Sequence, residues 1–144
     1  MIVKYNEDKI AKEIANLLNK YSDLSYPFKF TPQLIKGSNI KYLPLLVINK
    51  VAGCIGLKSV IRNAIPATEV CHLVVDPNFR RKGLATLLYK WAIKMSPTKN
   101  IFCYIRTNNI GSIKAAERAG FIKKHERRYK KRVIGFYIYG DKNE

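Results

Sequence analysis

Three cations stand directly before a glycine, between a buried strand and a strong helix. Residues 74–86 read VVDPNFRRKGLAT, so that Arg80, Arg81 and Lys82 precede Gly83. A helix that begins here leaves the backbone N–H groups of its first turn unpaired, and the helix dipole adds positive charge at the same end. A glycine lets an anionic group approach the backbone closely. The segment predicts a phosphate-binding loop. The alternative is a glycine-containing turn whose charged side chains are simply solvated, since it has the same sequence pattern.

Glu69 is a second candidate for chemistry. It is the only carboxylate between Asp23 and Asp76, and it stands in an otherwise apolar strand. Burial would raise the pKa of its carboxyl group, which is typical of functional sites; the alternative is a carboxylate paired with a nearby lysine or arginine. Strand alternation places His72 on the opposite face from Glu69, unless a bulge turns it.

The hydrophobic pattern predicts one α/β domain over residues 1–144 that positions these residues. Asn49-Lys50 predicts a hairpin turn, and Gly120 the end of a helix. The predicted helices cover 7–20, about 32–36, about 84–95 and 109–119. The predicted strands cover 2–5, 42–48, 51–61, 68–75, 101–106, 121–126 and 133–139, with a very basic connection between the last two.

The charge of the chain is strongly positive and unevenly placed. Its 144 residues carry 27 Lys and Arg against 10 Asp and Glu, a net charge of +17. Residues 79–132 hold 16 of the basic and only 2 of the acidic side chains. This balance argues against a cationic substrate captured by a broadly acidic surface, and it favours an anionic partner such as a phosphorylated cofactor or a nucleic acid.

Cysteine and histidine usage gives no sign of a metal site or of disulfides. Cys54, Cys71 and Cys103 lie in apolar strands without C-x-x-C spacing, which is typical of buried, reduced thiols. Charges interrupt the N-terminal segment, and no apolar stretch approaches the roughly 20 residues of a membrane span. We therefore expect a cytoplasmic protein without a metal or a membrane partner.

Two motifs in register resemble the GNAT (acetyl-CoA-dependent N-acetyltransferase) superfamily. Residues 80–85, RRKGLA, match the family pattern R/Q-x-x-G-x-G/A, and residues 109–121, NIGSIKAAERAGF, are similar to N-x-x-A/S followed by Y-E-K-x-G-F. The order of strands and helices agrees over essentially the whole chain. The resemblance implies a central mixed, mostly antiparallel twisted sheet of about seven strands with helices on both faces.

The resemblance also implies the reaction and the coenzyme contacts. Members of the family transfer an acyl group, usually acetyl, from acetyl-CoA to a primary amine by direct attack. By analogy, one strand end would contact the pantetheine arm, the loop would hold the pyrophosphate, and the start of the next helix would complete the site. These residues are Val74, Val75, Arg80, Arg81, Lys82, Gly83, Leu84, Ala85, Thr86, Asn109 and Ser112.

The proton-transfer groups follow from the same resemblance, with one departure. Glu69 stands eleven residues before Arg80, where some members carry the general base. Ala116 stands where many members carry a tyrosine as general acid. The proton for the leaving thiolate could come from water, from Ser112 or from one of Tyr104, Tyr137 and Tyr139. The thiolate could also leave unprotonated, since a thiol pKa near 8.5 makes it a fair leaving group.

The acceptor is suggested by the basic segment 123–132. Lysines and arginines interleaved with a tyrosine suit a phosphate backbone and an exposed base, although charge runs are also found on plain solvated surfaces. We expect an amine carried on nucleic acid, either a modified base or an aminoacyl-tRNA, ahead of protein N-terminal, lysine or small-molecule amines. A non-catalytic nucleic-acid-binding module, and a monomer or a homodimer, stay open. The candidate acceptor residues are Lys123, Lys124, Arg127, Arg128, Tyr129, Lys130, Lys131 and Arg132.

Overall fold

The computed structural model describes residues 7–21 and 29–140, which form six strands and four α-helices. The helices are α1 (Glu7–Tyr21), α2 (Pro32–Gly37), α3 (Leu84–Met95) and α4 (Ile110–Ala119), with one 3-10 turn at Pro77–Phe79. The strands are β1 (Ile40–Val47), β2 (Lys50–Arg62), β3 (Ile65–Val75), β4 (Ile101–Arg106), β5 (Phe121–Tyr129) and β6 (Arg132–Tyr139).

All six strands form one sheet in the order β1-β2-β3-β4-β6-β5. Every neighbouring pair is antiparallel except β3 and β4, which run parallel. This parallel pairing spans only two positions, Thr68 with Ile101 and Glu69 with Phe102. Beyond Glu69 the two strands separate, so the sheet opens at its centre.

Helices cover both faces of the sheet, because alternate strand residues point to opposite sides. Ile55 and Val75 pack with α3 and α4 in the larger core cluster. Cys54 and Val74, their immediate neighbours in sequence, pack with α1 and Phe30 in a second cluster. We call the α3 and α4 side the back face of the sheet and the α1 and α2 side the front face. No helix among residues 7–21 and 29–140 is long and apolar enough to span a membrane.

Local sequence explains where the two helices next to the opening begin. Asn109 caps α4, since its side-chain oxygen accepts a hydrogen bond from the Ser112 N–H at 3.2 Å. Gly83 precedes α3 with a φ of 73°, a left-handed conformation that favours glycine, and it supplies no capping side chain. The first turn of α3 therefore has no side-chain cap from the residue that precedes it.

The mixed, mostly antiparallel sheet with helices on both faces confirms the predicted fold. Six of the seven predicted strands are present, and the seventh, at 2–5, lies outside the described residues. The prediction of a long basic connection after residue 126 was wrong. β5 continues to Tyr129, and only Lys130 and Lys131 form the turn before β6. An edge strand with charged side chains on both faces shows no alternation of apolar and polar residues, which hides it in the sequence.

Close packing at Gly53 gives a stability prediction. A Cβ atom added there would lie 2.7 Å from the Val74 carbonyl oxygen, a backbone atom that cannot easily move. We expect Gly53→Ala to lower the free energy of unfolding by about 1–3 kcal/mol, as overpacking does. A Cβ atom added at Gly37 would have no neighbour within 4 Å, so Gly37→Ala should change the free energy of unfolding by less than about 0.5 kcal/mol. Urea unfolding of both variants checks this, and equal effects would contradict the packing account.

Candidate active site

The opening between β3 and β4 forms two adjoining cavities. The loop cavity, of about 750 Å³, lies between the C-terminal end of β3, the segment 79–86 and the start of α4. The sheet cavity, of about 580 Å³, lies over the front face between β2 and the turn of the β5–β6 hairpin. Both are lined by Leu73, Arg106, Asn109 and Ser112, which therefore mark their junction.

The loop cavity is built to receive an anion. The first N–H group of α3 that donates within the helix is that of Leu87, which bonds the Gly83 carbonyl at 3.1 Å. The N–H groups before it, those of Leu84, Ala85 and Thr86, have no acceptor in the helix, and all three residues line the cavity. These amides and the helix dipole favour a phosphate group there.

Side chains add to this positive potential. Five cations line the loop cavity, and none of the described residues that line it is acidic: Arg80, Arg81, Arg106, Lys114 and Arg118. Arg80 is also structural, because its Nε donates to the Val75 carbonyl at 3.1 Å. Lys82 is not among the lining residues, and its Nζ lies 5.9 Å from the centre of the Phe79 ring.

Sequence reasoning missed three of these five cations. Arg106 ends β4, whereas Lys114 and Arg118 lie four residues apart on α4 and therefore share a helix face. That spacing was the available signal, but nothing in the sequence directs this face of α4 toward the loop.

Glu69 is the one carboxylate among the described residues that line the sheet cavity. It lies opposite Lys58 in the β2–β3 register, and no salt bridge joins the two side chains in the described part of the chain. Burial raises the pKa of Glu69, and the positive charge of Lys58 opposes that shift only in part. A carboxylate with a raised pKa is a more effective proton acceptor than an exposed one.

His72 lies in the same cavity as Glu69, so the placement expected for a regular strand does not hold and the alternative of a bulge does. The physical reason is a bulge in β3: Gly56 pairs with Cys71 and Cys54 with Val74, while His72 has a φ of 54°. The His72 Nδ1 and the Tyr42 hydroxyl share a hydrogen bond of 2.7 Å. Burial and the charge of Lys58 lower the pKa of His72 to about 4, so the ring is neutral at pH 7.

A pair of hydroxyl groups lies at the junction of the cavities. The Tyr89 hydroxyl and the Ser112 Oγ share a hydrogen bond of 2.7 Å. Tyr89 comes from α3, is 3% exposed and lines the sheet cavity, while Ser112 lines both cavities. Sequence reasoning missed Tyr89, because its helical spacing is equally typical of a core residue.

Residues 11–121 match the family model of the Acetyltransferase (GNAT) family. The chain belongs to this family. It is an acetyl-CoA-dependent N-acetyltransferase, and the loop and its cations suit the phosphates of that coenzyme. No curated protein matches the chain in sequence.

Solved structures show the same fold at low identity. A GNAT-family acetyltransferase from Streptococcus pneumoniae superposes with a TM-score of 0.70 at 16% identity, over 96% of this chain and 99% of that one. The ribosomal-protein-S18-alanine N-acetyltransferase from Escherichia coli gives 0.66 at 16%, over 96% and 90%. A putative streptothricin acetyltransferase from Bacillus anthracis, in complex with acetyl coenzyme A, gives 0.63 at 21%, over 82% and 69%.

The hairpin of this acetyltransferase contributes less to the cavities than its charge suggests. Of the eight acceptor candidates, Tyr129 and Arg132 line the sheet cavity, and Arg127 lies on the same face of the sheet. Lys123 forms an ion pair with Glu126. Among the predicted tyrosines, Tyr104 lines the sheet cavity, whereas Tyr137 is buried in the back-face core.

The three cysteines are free thiols, and one of them faces the site. Cys54 and Cys103 are buried, and Cys71 lines the sheet cavity. Burial first, and then the charge of Glu69, raise the pKa of Cys71 to about 12. At neutral pH this group is a thiol rather than a nucleophilic thiolate.

We therefore expect Cys71 to take no part in acetyl transfer. Intact-protein mass spectrometry after incubation with acetyl-CoA alone should show an unchanged mass. Cys71→Ala should keep the turnover of the wild type to within about threefold, the effect of a small surface or packing change. An acetylated species that disappears in Cys71→Ala would contradict direct attack by the acceptor amine.

Proposed function

We propose that this enzyme acetylates an amine carried on nucleic acid. The observation that supports this most is the charge around the sheet cavity, from which the acceptor would approach. Among the described residues, Lys58, Arg106 and Arg132 line it, against Glu69 alone. Its rim continues into the exposed β5–β6 hairpin. A polyamine would be repelled by this potential, whereas an amine attached to a phosphate backbone would be attracted by it.

The coenzyme would bind along the loop cavity. The amides of Arg81 to Thr86 and the neighbouring cations would hold the pyrophosphate. The edge of β3 at Val74 and Val75 has no partner on the β4 side among the described strands, and it would pair with the pantetheine arm. Asn109 and Ser112 at the junction would position the reactive end. The coenzyme supplies the acetyl group as a thioester.

Glu69 would act as the general base. An amine is protonated near neutral pH and must lose a proton before it can attack a carbonyl carbon. The partly buried Glu69 carboxylate, with its raised pKa, can take that proton, directly or through a water molecule. The new C–N bond then forms as the C–S bond breaks, and the nitrogen releases its second proton to water to give the neutral amide.

Ser112 and Tyr89 would supply the proton to the leaving sulfur. Ala116 is fully buried and bears no proton donor, but the Tyr89 hydroxyl from the neighbouring helix bonds the Ser112 Oγ. The Ser112 hydroxyl at the junction would give its proton to the departing thiolate and take one from Tyr89. Water would then restore the phenol. Tyr89 thus acts through Ser112 as a positioning and relay residue.

Glu69→Gln should separate catalysis from folding. Turnover should fall by about 100-fold or more, the usual effect of losing a general base, with the affinity for acetyl-CoA unchanged. The raised pKa means that the folded state binds a proton which the unfolded state has already released, so stability falls as pH rises through that window. Glutamine cannot lose a proton, so Glu69→Gln removes this loss of stability. The urea concentration at the midpoint of unfolding should therefore rise at pH 7.

The pH dependence of turnover tests whether Glu69 is the general base. The rate of the wild type should rise with pH through the raised pKa of Glu69, and the glutamine variant should lack that rise. Wild-type turnover and an unchanged profile in Glu69→Gln would show that another group is the base.

The hydroxyl pair gives a further prediction. Tyr89→Phe and Ser112→Ala should each lower kcat by about 10-fold, equivalent to about 1.4 kcal/mol, with little change in coenzyme affinity. Because the two hydroxyls act as one unit, the double variant should be no slower than the slower single variant. Independent effects that multiply in the double variant would contradict the relay.

The acceptor class is tested with labelled acetyl-CoA offered to DNA, tRNA, proteins and polyamines in parallel. We expect the label in a nucleic-acid fraction. Arg127→Glu with Arg132→Glu should raise the KM for that fraction and reduce its salt dependence. Lys90→Glu with Lys94→Glu changes the charge equally on the exposed side of α3 and is the matched control. Label in protein N-termini or polyamines alone would refute a nucleic-acid acceptor.

A further inference from the structure

An aromatic cluster covers the front face of the sheet beside the sheet cavity. Phe136 lies at its centre, with the rings of Tyr104 at 5.3 Å, Phe102 at 5.7 Å and His125 at 4.8 Å. The His125 ring is stacked on Phe136, with 21° between the ring planes. The Arg62 guanidinium lies 4.4 Å from the centre of the Phe136 ring. We call Arg62, Phe102, Tyr104, His125 and Phe136 the aromatic face.

The inner and outer members of the aromatic face differ in exposure. Phe102 and Phe136 are buried, at 6% and 2% exposed, beneath the other three side chains. Tyr104 is 50% exposed and His125 is exposed. Among the described helices, α1 and α2 pack over β2 and β3, not over this cluster. The result is a firm base of packed rings with aromatic edges and faces turned to solvent.

The aromatic face is continuous with the sheet cavity. Tyr104 belongs to both, and Tyr129 lines the cavity from the hairpin. The register pairs His125 with Phe136 and Arg127 with Ile134, so alternate residues of β5 follow the same face toward Tyr129. His125 and Tyr129 are four strand residues, or about 13 Å, apart. An extended ligand can therefore contact the face and reach Glu69 together.

Rings and cations in alternation suit one class of ligand. Unpaired bases stack on aromatic side chains, while lysines and arginines follow the phosphates. In a duplex the bases already stack on one another, so their faces are closed to such contacts. We infer that the aromatic face binds the unpaired bases of single-stranded nucleic acid and thereby directs a nearby amine into the sheet cavity. This inference rests on the proposed nucleic-acid acceptor and narrows it to unpaired regions.

The experiment measures the affinity of the full chain for three probes at several salt concentrations. The probes are a short single-stranded oligonucleotide, the same sequence as a duplex, and an abasic oligomer of equal length. We expect the single strand to bind most tightly. The abasic oligomer keeps the phosphates but lacks bases, so it isolates the electrostatic contribution.

Tyr104→Ala should weaken single-strand binding by about 5- to 150-fold, the range found for loss of one stacked base. Its salt dependence should stay the same, because no charge is removed. Tyr104→Phe keeps the ring and should retain the affinity, which excludes misfolding as the cause. Leu87→Ala is the matched control, since Leu87 is also 50% exposed but belongs to α3 on the back face.

Three results would overturn the inference. Equal affinity for the single strand, the duplex and the abasic oligomer would mean that only phosphates are bound; the proposed nucleic-acid acceptor would then survive. Loss of self-association in Tyr104→Ala, with unchanged oligonucleotide affinity, would assign the face to a contact between copies of the chain. Absence of binding and of acetyl transfer to every nucleic acid would refute the acceptor proposal itself.

Discussion

β3 and β4 stay paired at only two positions, and the two cavities depend on their separation beyond Glu69 and Phe102. A parallel pair that continued would close the edge of β3 with hydrogen bonds and leave no room at the centre of the sheet. The bulge at His72 lies in the separated part of β3, where it adds one residue to the strand and so bends it locally. The flanking antiparallel pairs keep the two halves of the sheet together around this opening.

The lysines and arginines near the opening form two groups. Arginines and lysines from β4, α4 and the loop before α3 meet around the loop cavity, where we propose that the phosphates of acetyl-CoA bind. A second group extends along β5 and its turn, on the other side of the junction. The phosphates of acetyl-CoA would account for the first group of cations. The second group therefore says more about the acceptor. Much of the net charge of +17 thus lies on two surfaces.

The sequence predicted features whose determinants are contiguous. The loop from Arg80 to Thr86 carries its cations, its glycine and its helix start within seven residues, so its form could be read directly. His72 could not be placed, because a bulge changes the alternation of a strand without a local signal. Tyr89 belongs to α3 and Lys114 to α4. The packing of these two helices against each other decides which cavity each side chain lines, and this packing could not be predicted from the local sequence. Glu69 became a candidate base because an acidic residue is rare in an apolar strand and because it stands eleven residues before Arg80.

We propose that acetyl-CoA binds in the opening between β3 and β4. Hydrogen–deuterium exchange of the full chain, with and without saturating acetyl-CoA, would show where the coenzyme lies. The amides at 73–75, at 81–86 and around Ser112 should exchange more slowly when the coenzyme is bound, and exchange in the β1–β2 hairpin should be unchanged. Binding of the coenzyme that left these three segments unprotected, or that protected another part of the chain instead, would rule out this placement.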